Sequence, residues 1–214
     1  MISNITWLGH ASFKIADRVT GKVIYCDPWK LKHTDAPEDK ADLILVSHPH
    51  FDHFSPEDIN KILKPETIIV SVKEVVDKFP KNSKLLTPSN RLTVFGIEIE
   101  AIPAYNPAKQ FHPRNNNWNG YVFNANNLRI YHAGDTDATP EMLALKDDKK
   151  GIDVALVPIG GTYTMDALDA ANTVNTFKPK LALPMHYGDI VGKWEDGITF
   201  KNNCKIDVVL LKPE

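Results

Sequence analysis

Apolar residues fall along the chain in short runs, and the spacing within each run predicts its element. NITWLG, ASFKIAD and KVIYCD alternate apolar with polar positions or are rich in β-branched residues, and each ends at Gly, Asp or Pro, so each reads as a strand. LILVSH, from Leu43, is a continuous apolar run, as expected of a strand covered on both faces. A helix start follows it. Ser55 supplies an N-cap, Pro56 suits the first helical position and Asp58 stands three residues after the cap. PEDINKIL continues with helical spacing, TIIVSV returns to a strand and KEVVDKF to a short helix. Residues 84–102 and 119–132 read as antiparallel strands, with turns at Ser89-Asn90, Gly96 and Asn126-Asn127.

The last third alternates strand with helix. Thr139 and Pro140 open the short helix PEMLAL; IDVALVPIGG is a buried strand ended by glycines; residues 166–177 carry an amphipathic helical pattern stopped by Pro179. LALPMH and KIDVVLLK are the remaining predicted strands. This order implies α/β layering. ADLILVSH and IDVALVPI echo one another, each an acid before an apolar strand, then a loop and a capped helix; the echo suggests two similar halves. The polar run FHPRNNNWNG, residues 111–120, is the one long loop, and nothing resembles a linker or a low-complexity segment. Residues 1–214 are therefore expected to form one domain.

Composition narrows the class of partner. A formal net charge of -2 and a pI near 6.4 give no general nucleic-acid or acidic-membrane surface. Cys26 and Cys204 make no CxxC pair and no disulfide framework, which suits a reducing, cytoplasmic compartment. MISNITWLGHASF lacks the basic and long apolar regions of a signal peptide. No apolar run approaches the ~20 residues of a membrane span.

The chemistry concentrates in SHPHFDHFSPED, residues 47–58, where three of the eight histidines fall between His48 and His53 with Asp52 among them. His48 and His50 are two apart, so an extended backbone would point both to one side. Imidazoles and a carboxylate together suit Zn, Mn, Fe or Ni better than Ca or Mg. Crowded histidines would repel one another when protonated, and a metal removes that conflict by binding the neutral rings. His186 ends LALPM, Asp135 follows LRIYHA, and His112 lies in FHPRNN. Ligands of open α/β sheets gather outside the carboxyl ends of strands, so these residues would converge there.

HPHFDH matches HxHxDH, and FHP, IYHAGDTD and PMHYG follow in order; the chain resembles the metallo-β-lactamase superfamily. WLGHASF, DPW, VPIGGTYTMD and PMHYGD make it similar to one branch, mostly uncharacterised metal-dependent hydrolases that resemble ascorbate-6-phosphate lactonases. The resemblance implies a four-layer αββα sandwich with metals in a cleft between the sheets. Carried over, it implies two divalent ions, zinc or manganese first and nickel or iron next. His48, His50 and His112 would hold one; Asp52, His53 and His186 the other; Asp135 would bridge both. Asp52 and Asp135 would also steer the proton of an attacking water. Asp27 in CDPW has two readings, an acid orienting a ligand or a turn former before Pro28. His10 in LGHA likewise has a substrate-side or supporting role, or a plain strand-end one. His132 reads as structural and His33 as surface. Gly160 and Gly161 lack a following GK[ST] and read as a tight turn beside the site rather than a phosphate loop. The four tryptophans read as packing.

The expected activity is hydrolysis of an ester, lactone or phosphoester in a small molecule by direct water attack, without a covalent intermediate. Loops 103–118 and 160–165 would shape the pocket. Phe54, Ser55 and Pro56 stand where nucleic-acid-processing relatives commonly reach a glycine, which, with the charge, disfavours a nuclease. Di-iron redox relatives usually carry Glu where His50 stands, and a flavin domain for which there is no room. A metal-binding protein without catalysis is the remaining alternative, and homo-oligomerisation is open.

Overall fold

Strands that follow one another in the chain also neighbour one another in space. The computed structural model describes residues 2–214. β1 (Ile5–Gly9), β2 (Ser12–Asp17), β3 (Lys22–Cys26), β4 (Leu43–Val46), β5 (Ile68–Ser71) and β6 (Ser83–Leu85) form one sheet in that order. β7 (Arg91–Val94), β8 (Ile97–Pro103), β9 (Asn119–Ala125), β10 (Leu128–His132), β11 (Val154–Pro158), β12 (Leu181–Met185) and β13 (Asp207–Val208) form the other. The opening strands of each sheet pair antiparallel. From β3 and from β10 onward the pairing is parallel, which requires crossovers. These carry α1 (Pro56–Ile62) and α2 (Lys73–Val76) on the first sheet, and α3 (Pro140–Leu143), α4 (Ala167–Phe177) and α5 (Trp194–Asn203) on the second.

β4 shows how the layers stack. Leu43 and Leu45 face the core between the sheets, while Ile44 and Val46 face Ile59, Ile62 and Val75 of α1 and α2. Both faces are apolar because both are covered. The result is helix, sheet, sheet, helix: the αββα sandwich. β4 and β11 hold the same place, each the second strand of its parallel run, so the echo in sequence reflects equivalent positions. Among the described residues, no helix is long and apolar enough to cross a membrane.

Ser55 accepts from the Asp58 amide, Thr139 from Met142, and Asp166 from Leu168 and Asp169, so the caps act as their residue types predict. Two expectations are corrected. The run from residue 84 is not wholly antiparallel, because Ser83–Leu85 pair parallel with β5 and the turn at Ser89-Asn90 passes from one sheet to the other. KIDVVLLK pairs only at Asp207 and Val208; the following apolar residues pack against the core, and the tail ends with the Glu214 amide on Trp7 O at 3.0 Å. α5 was not foreshadowed by the apolar pattern at all.

Candidate metal centre

β4 stops at Val46, before the histidines. The chain then bends, and the His53 and Phe54 amides both donate to His50 O, at 3.0 and 2.8 Å. This tight turn, rather than an extended strand, gathers His48, His50, Asp52 and His53. Asp135 follows β10 through Gly134, His186 follows β12, His112 comes from the loop between β8 and β9, Asp27 follows β3, and His10 lies at the β1–β2 turn. His10, Asp27 and His186 all have positive φ (49°, 43° and 58°). That conformation costs roughly 1–3 kcal/mol per non-glycine residue and persists where surroundings impose it, often at functional sites.

Two groups of donors result. His48 Nε2 lies 3.0 Å from His50 Nδ1, and the His112 ring centroid is 5.2 and 5.0 Å from theirs. In the second group Asp52 Oδ2 lies 2.9 Å from His10 Nε2, 3.7 Å from His186 Nε2 and 3.9 Å from His53 Nε2. Asp135 stands between the groups, 3.3 Å from His112 Nε2 and 3.1 Å from both His53 and His186 Nε2. The donor atoms of His48, His50 and His112 lie within 4.8 Å of one another, as do those of His10, Asp52, His53 and His186, and those of His48, His53 and Asp135. The sequence-predicted ligands are thus all brought together.

Hydrogen bonds behind the rings decide which nitrogen faces inward. Asp27 accepts from the Ser47 amide, from Ser47 Oγ and from His53 Nδ1, each at 2.7 Å. Ser47 has spent its one proton on Asp27, so its oxygen accepts from His48 Nδ1 at 2.9 Å. Asn106 Oδ1 accepts from His112 Nδ1 at 2.7 Å and from the His112 amide. Each bond turns Nε2 into the cluster, as metal-bound histidines require; that of His48 meets His50 Nδ1. Asp27 therefore orients two histidines, one directly and one through Ser47, from the bend before Pro28. His10 donates Nε2–H to Asp52, and its carbonyl accepts from Trp7 Nε1 and the His186 amide.

His53 Nε2, His112 Nε2, His186 Nε2 and Asp135 Oδ1 are buried without a hydrogen-bond partner; the carboxylate contacts above lie within ion-pair distance but not in hydrogen-bond alignment. Buried orphans of this kind are rare, and four spread over the two donor groups and Asp135 fit bound cations. The electrostatics agree. Burial pushes the pKa values of His48 and His50 down, and neighbouring histidines add to it; burial also lowers that of His10, to about 4. For His53 burial acts the same way, but Asp135 and Asp27 outweigh it and hold the ring above its ordinary value. Burial would raise Asp135, yet His186 and His53 keep it well below the carboxylate range. Asp52 is likewise raised by burial but lowered further by His10 and His186. The carboxylates raise His186 as well as His53, against burial, and the same negative charge would favour a metal ion in place of their protons.

Sequence reasoning missed several supports. Ser47 and Asn106 are described above; Trp118 packs on His48 and His50 with ring centroids 4.9 and 4.8 Å apart. Gly160 is a close approach rather than a phosphate loop, since a Cβ there would strike His186 O and would lie 2.6 Å from Val191 Cγ2. His132 is structural, donating Nε2–H to Ala11 O at 2.9 Å, and His33 is exposed.

The sequence model of the beta-lactamase superfamily domain matches residues 4–186. The chain belongs to the metallo-β-lactamase superfamily. Among similar superfamily proteins, a UPF0173 metal-dependent hydrolase of Thermococcus onnurineus is 33% identical over 98% of this chain and 96% of its own length. A crystal structure from Parabacteroides distasonis, assigned as a metal-dependent hydrolase, is 34% identical, with a TM-score of 0.84 over 98% of this chain and 93% of that one. A metallo hydrolase from Ignicoccus hospitalis is 26% identical, with a TM-score of 0.76 over 98% and 94%. The superfamily member described here is accordingly a metal-dependent hydrolase.

Proposed function

We propose that the protein holds two divalent ions, zinc or manganese, and hydrolyses an ester, lactone or phosphoester bond of a small molecule by direct attack of water. The observation that carries this reading is the pair of donor groups joined by Asp135, whose oxygens stand 3.1–3.3 Å from bare nitrogens of both. His48, His50 and His112 would hold one ion, Asp52, His53 and His186 the other, and Asp135 would be shared. Such ions would supply Lewis acidity toward a carbonyl or phosphoryl oxygen and would acidify water.

The chain's own residues do the rest. Asp27, Ser47 and Asn106 accept from Nδ1 of His53, His48 and His112 and so aim the opposite ring nitrogens at the cluster. Asp52 lines the open cavity above the cluster, held by His10, and places a carboxylate where the proton of the attacking water would be received. Among the described residues, none that lines this cavity is Ser, Thr or Cys, which favours direct attack over a covalent intermediate. The cavity, about 280 Å³, suits a small molecule better than a polymer. Metal-stripped protein should be inert toward a panel of lactones, carboxylic esters and phosphodiesters, and should turn over at least one class after reconstitution with zinc or manganese. Activity that survives stripping, or none from any class after verified reloading, would refute this reading.

A further inference from the structure

The cavity above the cluster carries more apolar surface than water-based hydrolysis needs. Its floor is the cluster, and its walls are Phe51, Phe111, Tyr163 and Ile190. Phe51 is 69% exposed, Phe111 46% and Ile190 40%. Single exposed apolar side chains are ordinary, but four rimming one polar-floored cavity mark a binding surface. Phe111 meets Tyr163 edge-on, ring centroids 4.7 Å apart at 89°, and Phe51 leans on Trp29 at 6.2 Å. Asn106 couples wall to floor: Nδ2 donates to Tyr163 O at 3.0 Å while Oδ1 holds His112.

Charge is missing from the same walls. Among the described residues, no lysine or arginine lines the cavity. Cations of the surrounding loops are paired elsewhere: Lys109 with Asp137 at 2.8 Å, Lys30 with Asp189 at 2.8 Å and Arg114 with Glu141 at 2.7 Å. An anionic substrate body seated against these walls would meet aromatic rings and no side-chain counter-charge, which is unfavourable. The volume of about 280 Å³ compares with the ~150 Å³ void that accommodates benzene, so it takes one ring and a short arm.

We infer that the substrate is a neutral ester or lactone whose body is an aromatic ring or branched aliphatic group, seated between Phe111, Tyr163, Phe51 and Ile190 with its carbonyl toward the cluster. This rests on the hydrolytic reading above. Water delivers its hydroxyl to the acyl carbon, the acyl C–O bond breaks, and the water proton ends on the released alcohol oxygen.

The test compares α-benzyl-γ-butyrolactone with unsubstituted γ-butyrolactone and with bis(p-nitrophenyl) phosphate, on full-length protein loaded with zinc or manganese. The two lactones share one reacting ring, so their difference reads the walls. The benzyl lactone should be preferred in kcat/KM by roughly 10-fold or more, the scale at which apolar pockets discriminate. Phe111→Ala and Tyr163→Ala, at the cavity rim, should lower kcat/KM for the benzyl lactone by about 10-fold through KM, a loss clearly greater than that on γ-butyrolactone. Equal use of both lactones, preference for the phosphodiester, or equal losses on both lactones would overturn the inference and leave the hydrolytic reading standing. Phenylacetamide, an amide and so much less reactive than an ester or lactone, gives an independent binding readout by ligand-detected NMR. Its Phe111-dependent binding without hydrolysis of any lactone, carboxylic ester or phosphodiester would uphold the apolar site and refute the hydrolytic reading. Variants that change only sedimentation would assign the walls to a second copy of the chain and overturn the substrate class.

Discussion

Asp27 takes three hydrogen bonds that between them fix two imidazoles, one directly and one through Ser47. Replacing it should therefore disturb both donor groups, whereas replacing Asn106 should disturb only the group that contains His112. Asp27→Asn, which keeps the turn, should weaken metal binding by about 10- to 100-fold, read by competition with a chromophoric chelator. Asn106→Ala should weaken one of two binding steps and spare the other; equal weakening of both would contradict the division into two groups. Gly134 has φ +62°, and a Cβ there would sit 2.8 Å from Asn119 O and 2.9 Å from Ser47 Cβ. Gly134→Ala must displace Asp135, so loss of metal with little loss of secondary structure by circular dichroism is expected. At this scale the clustered residues were legible because four of them fall within the six residues HPHFDH. Ser47 and Asn106 were not. Both types are common in turns, and only tertiary contact shows that their oxygens orient a histidine.

Elements were legible where local signals and burial agree. β4 and α1 read cleanly because an all-apolar strand and a Ser-Pro cap each have one structural meaning. Ser55→Ala should cost about 1 kcal/mol in urea unfolding without changing metal content. α5 escaped notice because WEDGITFKNN has only two buried positions, Gly197 and Phe200, and glycine argues against a helix. The glycine is needed there, since a Cβ would lie 2.9 Å from Tyr187 Oη. Asp42 shows how a connection is held between elements. It accepts from the Val23 amide at 2.9 Å and pairs with Lys22 at 3.1 Å and Lys64 at 2.8 Å. Burial pushes its carboxyl pKa up, but Lys64, the Val23 amide and Lys22 together bring it below the usual 3.8. A lowered folded-state pKa means that ionised Asp42 favours folding. That contribution is complete above the unfolded carboxyl value of ~3.9 and is lost as pH falls through the folded value. Stability should thus fall more steeply between about pH 5 and pH 2 in the native protein than in Asp42→Asn; equal slopes by urea unfolding would show the pair to be idle.

For the whole molecule, the two sheets bring the ends of β3, β4, β10 and β12 to one edge, so the site depends on how the sheets pack. Leu45, between them and fully buried, should cost roughly 2–5 kcal/mol on change to Ala. Layering was foreseen as mixed α/β from periodicity, and as αββα only from the resemblance, because buried strands of either sheet look alike in sequence. Metal bound only by the folded chain adds stability by mass action, about 2.7 kcal/mol at one hundred times Kd. Chelation should accordingly lower Tm, and readdition of metal should restore it.

The central claim is that Asp135 joins two ion sites, and metal content per chain tests it most directly. Element-resolved analysis of freshly purified protein, beside Asp135→Ala, should find about two zinc or manganese ions per chain, as in two-metal hydrolase sites, and clearly fewer in the variant. No metal after reconstitution, or equal loading of both proteins, would contradict it.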